Sequence, residues 1–327
     1  MEFKYTEDQI ALRRAVREWA QSYLAPKAEE IDVNNRFPTE TIQALGEQDL
    51  MGLAYPEELG GAGYDAISEA IAMEEISAAC AATGSIITGH YLGFDALYLA
   101  GTPEQKEKWL RPALEGEKYA AFCLTEPAGG SDMTSNKTTA VQDGDEWVIN
   151  GEKCFITNGG EADIACVFAA TDPTKGAKGI SAFMVPTNTP GFSVTKYEDK
   201  CGFRTISTCS LKFDNVRVPA ANLVGEEGKG YIYAMKTLDK SRACVGALAV
   251  GIARRALDEA IAFVKERVTF GAPVAKRQGI QWMIADMATK IEASRCLVSH
   301  ANDLQSKGLP FSKEAAMAKM FATQSAM

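Results

Sequence analysis

The sequence predicts an α+β multi-domain chain: an N-terminal all-α domain over residues 1–118, a middle antiparallel β-barrel or sandwich over 119–230, and an incomplete C-terminal α-helical bundle over 231–327. Two observations carry that division. The hydrophobic period is helical from Thr6 to about Lys118, falls to two between about Tyr119 and Gly230, and turns helical again afterwards. A length of 327 residues also exceeds what one ordinary core organises, so two or three domains are expected.

In the first part the sharpest signal is Thr102-Pro103-Glu104-Gln105. It offers a hydroxyl N-cap, a proline at the first helical position, and a residue three on that can reach back as a capping box. The helix it opens carries Trp109 and Leu110 toward a core. In the middle part Asp143-Gly144 and Asn150-Gly151 read as hairpin turns, the second joining Glu146–Ile149 to Lys153–Ile156. Further strands are expected over Ile164 to Ala170, Ile180 to Val185, Phe192 to Tyr197 and Cys209 to Phe213, giving a small antiparallel barrel or sandwich. Beyond Gly230 the pattern predicts helices from Tyr231 to about Glu266, from Gln278 to about Gln305, and from Ser312 onward after Pro310. The last has no terminal glycine, basic final turn or proline beyond it, so the chain reads as ending inside a helix.

Composition narrows the function classes. A content of 46% hydrophobic and 24% charged residues is that of a soluble globular enzyme. The net charge of −9 and a pI near 5.0 argue against nucleic acid, which needs a basic face. An anionic ligand would have to be held by local positive groups. Eight cysteines (Cys80, Cys123, Cys154, Cys166, Cys201, Cys209, Cys244 and Cys296) form no C-x-x-C pair and lie mostly in apolar runs, as reduced core thiols do. Only His90 and His300 are present, which argues against a histidine metal site or a Ser/His hydrolase. No run is long enough to span a membrane and the N-terminus lacks a signal-type apolar stretch, so cytoplasmic residence is expected.

Two glycine patterns are set aside. Gly61-Ala62-Gly63-Tyr64-Asp65-Ala66 matches a dinucleotide fingerprint but has Pro56-Glu57-Glu58 where a strand should precede it, and reads as a surface turn. Gly225 to Gly230 has the wrong spacing for a Walker loop and no hydroxyl after Lys229, and reads as the loop before the next helix.

The informative pair of segments is Phe122 to Ser131 (F-C-L-T-E-P-A-G-G-S) and Cys154 to Gly160 (C-F-I-T-N-G-G). Each is an apolar strand-like run opening into a polar, glycine-containing turn. A flat heteroaromatic cofactor needs such an arrangement: backbone groups and a hydroxyl along its edge, and an apolar side chain against its face. Together with Lys200 to Thr208 (K-C-G-F-R-T-I-S-T), this pair resembles the flavin-binding middle domain of the acyl-CoA dehydrogenases, and the helix, β, helix order extends the resemblance over the whole chain.

The resemblance implies FAD as cofactor. Backbone groups at Phe122, Leu124 and Thr125 and the Thr125 hydroxyl would meet the pyrimidine edge, Phe155 would lie against the isoalloxazine, and Ile156 and Thr157 would meet it near N5. The family more often has tryptophan at the Phe155 position. Ser131 would touch both cofactor and the pantetheine of an acyl-CoA, with Tyr231 packed on the same ligand. Asp239 and Arg242 would line the thioester end, and His90 and Tyr91 would wall the acyl pocket. Arg267, Thr269, Phe270 and Gln278 resemble the segment that reaches the FAD of a neighbouring subunit, an arginine there forking onto pyrophosphate oxygens.

What the resemblance does not supply here is the base. Dehydrogenation needs a carboxylate to take the α-proton. Most of the family carries this glutamate in a loop past residue 327, and a minority carry it where Ser241 stands, so the chain reads as a truncated member with no catalytic residue identified beyond a supporting Arg242. The implied activity is FAD-dependent oxidation of an acyl-CoA to its trans-2-enoyl-CoA, with electrons passed to an electron-transferring flavoprotein and subunits arranged as a dimer of dimers. Two alternatives stay open: a decarboxylating dehydrogenase of the glutaryl-CoA type, and a non-catalytic flavin- and CoA-binding subunit lacking its own base.

Overall fold

In the computed structural model, which describes residues 5–327, the chain packs as two compact units. One comprises the described residues up to Glu30 with Tyr64–Ser85 and Asp239–Met327, and the other Ile31–Gly63 with Ile86–Leu238.

The first unit is helical. Helix α1 (Glu7–Trp19) begins at a Thr6 capping box and runs through a π-helical stretch, Ala20–Leu24, into α2 (Ala25–Val33). The wider turn comes just before Pro26, whose missing N–H and ring an unbroken α-helix would have to accommodate. After α3 (Thr39–Gly46) of the other unit come α4 (Ala66–Ala79) and the start of α5 (Ala81–Ala100). Helix α4 is buried along nearly its whole length, including Glu74 and Glu75. Those carboxylates are neutralised from separate stretches of chain: Arg17 donates bidentately to Glu75 at 2.9 and 2.8 Å, Arg254 reaches Glu75 at 2.6 Å, and Arg295 forks onto Glu74 with both bonds at 3.0 Å. Gly251 lets two helices touch, because a Cβ there would stand 2.4 Å from the Glu74 carbonyl oxygen.

The second unit is built on a sheet. Its helical part holds α3, most of α5, and the residues 103–114 that form α6 (Pro103–Gln105), a second π-helical stretch and α7 (Arg111–Leu114). The expected Thr102 capping box is present, with the Gln105 N–H donating to the Thr102 hydroxyl at 3.2 Å and the Thr102 N–H to the Gln105 side chain at 3.0 Å. Again the π-helical turn, Lys106–Leu110, falls just ahead of a proline, Pro112. Leu110 is fully buried and Trp109 half-buried.

Seven strands form one sheet in the order β1-β4-β2-β3-β7-β6, with β5 added on β4: β1 (Ala120–Cys123), β2 (Thr139–Asp143), β3 (Glu146–Thr157), β4 (Ile164–Ala170), β5 (Ile180–Pro186), β6 (Phe192–Tyr197) and β7 (Thr208–Pro219). It is not wholly antiparallel: β1 and β2 both pair parallel to β4. Strand β4 reads I-A-C-V-F-A-A, a continuous apolar run rather than an alternating one, as a strand covered on both faces requires.

The second expected hairpin is absent. Asp143 and Glu146 do close a turn between β2 and β3, but Asn150-Gly151 lies inside β3, which runs unbroken from Glu146 to Thr157. Strand β7 pairs with β3 on both sides of that point and absorbs the irregularity as a bulge, Asn215 taking φ +51° and its N–H donating to the Asn150 side chain at 2.8 Å. Gly151 is needed because a Cβ would meet the Thr138 hydroxyl at 2.4 Å.

Helix α8 (Gly230–Glu266) begins in the second unit and ends in the first. There a short hairpin of β8 (Val268–Thr269) and β9 (Ala272–Pro273) leads to α9 (Gln278–Ser306) and α10 (Ser312–Ala326), close to the starts expected from sequence.

Candidate functional site

The two informative segments meet in the sheet unit. The Cys154 N–H donates to the Thr125 carbonyl at 3.0 Å, joining the loop that leaves β1 to the middle of β3. At that point β3 bulges: Lys153 pairs with Leu211 and Ile156 with Cys209, leaving Cys154 and Phe155 opposite the single residue Ser210. Phe155 takes φ +57° and is 64% exposed. Left-handed backbone costs a non-glycine residue about 1–2 kcal/mol, and a large apolar side chain gains nothing from standing in water. Both costs have a reason if the ring is held out to cover a ligand face. Ile156 is buried, so only its backbone is available, while Thr157 is half-buried.

Beneath this surface lies a pair that the sequence reading did not single out. Lys153 and Glu126 are sealed from solvent, with Nζ 2.7 Å from the carboxylate. Nζ also donates to the carbonyls of Leu124 at 3.1 Å and Phe168 at 2.6 Å. Three acceptors around one nitrogen require three N–H donors, so Lys153 is an ammonium even though burial pulls its pKa down. Burial alone would push the Glu126 pKa up; the Lys153 charge and hydrogen bonds from Lys153, Thr138 and the Lys137 backbone outweigh it and hold it below the usual value. Glu126 thereby fixes the loop from Thr125 to Thr138, which is closed further by reciprocal Glu126 and Gly129 backbone bonds at 3.0 and 3.1 Å. A signal was available: Trp147, Ile149, Gly151 and Lys153 share one face of β3, and the first two are core residues.

The third segment closes the other side. The Asn158 N–H donates to the Ser207 carbonyl at 2.8 Å, and its buried side chain donates to the Ile86 carbonyl of α5 at 3.0 Å. Lys200 turns back on its own segment, donating to the Ile206 carbonyl and the Thr208 hydroxyl. Among the described residues the Thr125 and Thr157 hydroxyls and the Thr125 N–H have no partner in the chain. A raised aromatic ring with unpartnered hydroxyls and an N–H on the linked segments fits the edge and face of an isoalloxazine.

The other expected residues stand on several elements. Phe122 on β1 is half-buried with its ring edge-on to Phe168 at 4.9 Å; Leu124 is buried and its carbonyl is taken; Ser131 is exposed. Tyr231 is half-buried in the first turn of α8, and Asp239 and Arg242 lie further along that helix. Arg242 donates to Asp239, which also accepts from the Ser312 hydroxyl at the start of α10. His90 and Tyr91 are both buried. His90 is fully buried against Phe94, Tyr91 and Tyr119, with burial pushing its pKa down to about 4, and the buried Tyr91 hydroxyl is spent on the Leu50 carbonyl at 3.0 Å.

Arg267 and Gln278 are exposed at either end of the β8-β9 hairpin, with Thr269 half-buried between them. At its tip Phe270 and Gly271 take φ +49° and +73°, and Phe270 is 97% exposed. Arg277, not anticipated, lies 5.4 Å from that ring centre and donates to the Thr269 carbonyl at 2.8 Å.

Three family models match the chain in order: acyl-CoA dehydrogenase N-terminal domain over residues 6–117, middle domain over 121–216, and C-terminal domain over 228–327. The chain is 47% identical over 328 residues to a short-chain specific acyl-CoA dehydrogenase of Clostridium acetobutylicum, covering 100% of this chain and 86% of the relative. To the acryloyl-CoA reductase (NADH) of Anaerotignum propionicum it is 46% identical, covering 100% and 83%. A chain in a solved structure described as "Electron transferring flavoprotein of Acidaminococcus fermentans: Towards a mechanism of flavin-based electron bifurcation" matches with a TM-score of 0.97 at 46% identity, covering 99% of this chain and 86% of that one. These matches run the length of this chain and 83 to 86% of the matched proteins' own lengths. Helices, a curled middle sheet and further helices are the three-domain fold of these proteins, which bind FAD, and the raised Phe155 with its neighbouring hydroxyls suits that cofactor. By sequence and by fold, the chain belongs to the acyl-CoA dehydrogenase family of FAD-dependent oxidoreductases.

Proposed function

We propose that this chain oxidises a short-chain acyl-CoA thioester to the trans-2-enoyl-CoA. The observation that carries the reading is Phe155, held at φ +57° with its ring in the open on the bulge tied to the Thr125 loop. The short-chain class is supported by the name of the clostridial relative.

FAD, when bound, supplies the hydride acceptor. The chain's own residues do the rest. Phe155 covers the ring face and excludes water, and the Thr125 and Thr157 hydroxyls donate along the ring edge. Ser131 and Tyr231 hold the pantetheine arm, and Arg242, steadied by Asp239, lines the thioester end. Arg267, Thr269, Phe270 and Gln278 serve the cofactor of a second subunit in a dimer of dimers; a phenylalanine 97% exposed on a strained turn is suited to a protein partner. Electrons pass to an electron-transferring flavoprotein, a partner class supported by the description of the matched structure. The setting is cytoplasmic; among the described residues no helix is long and apolar enough to cross a membrane.

A second reading has its own observation. Ser241, at the minority position for the base, is a buried serine, and a hydroxyl without a partner base does not remove an α-proton. A flavin- and CoA-binding subunit without its own base would look the same at this position.

The experiment is a panel of acyl-CoAs added to the FAD-reconstituted chain, following loss of flavin absorbance. The chain should bleach fastest with butyryl-CoA, and Ser241→Glu, which puts a carboxylate at the minority position for the base, should accelerate bleaching, since a positioned general base contributes about a hundred- to ten-thousand-fold in rate. Bleaching by butyryl-CoA at a full enzymatic rate in the unmodified chain would show that another residue is the base. No response to any acyl-CoA, in either form, would favour the non-catalytic reading.

A further inference from the structure

We propose that Lys153 and Asn136 are positioning residues that aim and strengthen the Thr125 N–H as a donor to the cofactor edge, an inference that rests on the FAD reading above. The Leu124 carbonyl accepts from Lys153 Nζ at 3.1 Å and from Asn136 Nδ2 at 2.8 Å. A trans peptide is planar, so the N–H on its far side, that of Thr125, points the opposite way from the clamped carbonyl. That N–H has no partner among the described residues and belongs to the residue whose hydroxyl is also unpartnered.

The clamp is rigid. Lys153 is fully buried, and its nitrogen is further fixed by Glu126 at 2.7 Å and the Phe168 carbonyl at 2.6 Å. Glu126 in turn accepts from the N–H of Thr138 at 3.1 Å and from that of Lys137, which holds the segment bearing Asn136. A cation on a carbonyl polarises its peptide and makes the attached N–H a stronger donor, as hydrogen-bonded chains strengthen one another in low dielectric. The buried charge therefore acts through one peptide group and favours the electron-rich, reduced form of the cofactor over the oxidised form. This is a role for Lys153 beyond neutralising Glu126, for which a bond to the carboxylate alone would suffice.

The test compares wild type with Asn136→Leu and with the double variant Lys153→Met/Glu126→Gln, which removes both buried charges together and leaves no carboxylate unpaired. Two quantities are read: the midpoint potential of bound FAD, and hydrogen exchange of the Leu124–Ser131 segment in the apoprotein. The double variant should lose about ten-fold in preference for reduced over oxidised FAD, a fall of about 30 mV for a two-electron couple, and its loop should exchange faster. Asn136→Leu should move both in the same direction by less. If the double variant does not fold, the half-buried Asn136 carries the test alone. A lowered melting temperature with unchanged potential and unchanged exchange in the folded variants would overturn the proposal. Failure of wild type to take up FAD would instead sink the FAD reading, while the exchange arm still decides whether the clamp orders the loop.

Discussion

The Cys154 N–H donates to the Thr125 carbonyl at 3.0 Å, and this one backbone bond ties the loop leaving β1 to the bulge of β3. The next residue, Phe155, bears the strain of the bulge at φ +57° with most of its ring in solvent. Strain kept at an exposed site is selected for something other than stability. Phe155→Gly should therefore raise the stability of the apoprotein, or leave it unchanged, since relief of about 1–2 kcal/mol of left-handed strain offsets about 0.5–1 kcal/mol of added backbone entropy. The same variant should bind FAD at least ten-fold more weakly. Thermal melts of the apoprotein and fluorescence titration with FAD measure the two effects, and a destabilised variant with native FAD affinity would refute this use of the bulge.

Thr157→Val keeps the shape and removes a hydroxyl that has no partner among the described residues. A single hydrogen bond contributes about 1 kcal/mol net, so FAD affinity should fall about five-fold with no change in apoprotein melting. An effect on melting alone would place the hydroxyl inside the protein's own network.

Much of this was legible in the sequence where local chemistry decides the structure. The Thr102 capping box, the helix starts at Gln278 and Ser312 and the strands over 164–170 and 192–197 depend on neighbouring residues, and they form as read. Asn150-Gly151 was misread because a turn signal is local while a bulge is imposed by the partner strand, here by Asn215. The parallel pairing of β1 with β4 joins residues more than forty apart and leaves no local trace. At the site, Phe155 and Thr157 were visible as a motif, whereas Lys153 looked like an ordinary strand lysine. Its role depends on Glu126, Leu124 and Phe168, three partners that only the folded sheet assembles.

Glu75 gives the first unit a pH dependence whose sign can be worked out. Burial pushes its pKa up, but Arg17 and Arg254 more than reverse this and hold it below the ordinary 4.5. A depressed folded pKa means that the stabilisation is fully present above pH 4.5 and is lost as pH falls through the folded value. Glu75→Gln leaves the arginines unbalanced and should cost about 3 kcal/mol at pH 7. The gap between wild type and variant should close in melts taken progressively below pH 4.5. A gap that stays constant into acid would show that packing, not charge, carries the effect.

Arg267→Ala should weaken FAD binding more than acyl-CoA binding, and the loss should depend on self-association. Phe270→Asp, at the 97% exposed hairpin tip, should lower both the oligomeric state and FAD retention together. Sedimentation and flavin content measured on the same samples check the link. Full FAD affinity in a demonstrated monomer would remove this segment from the cofactor site.

The most direct test of the account is titration of the purified apoprotein with FAD, followed by the flavin absorbance of the protein fraction. Saturation is expected at one FAD per chain, with a flavin spectrum shifted from that of free FAD and a visibly weaker titration for Phe155→Gly. A wild-type chain that retains no flavin at saturating FAD would contradict it.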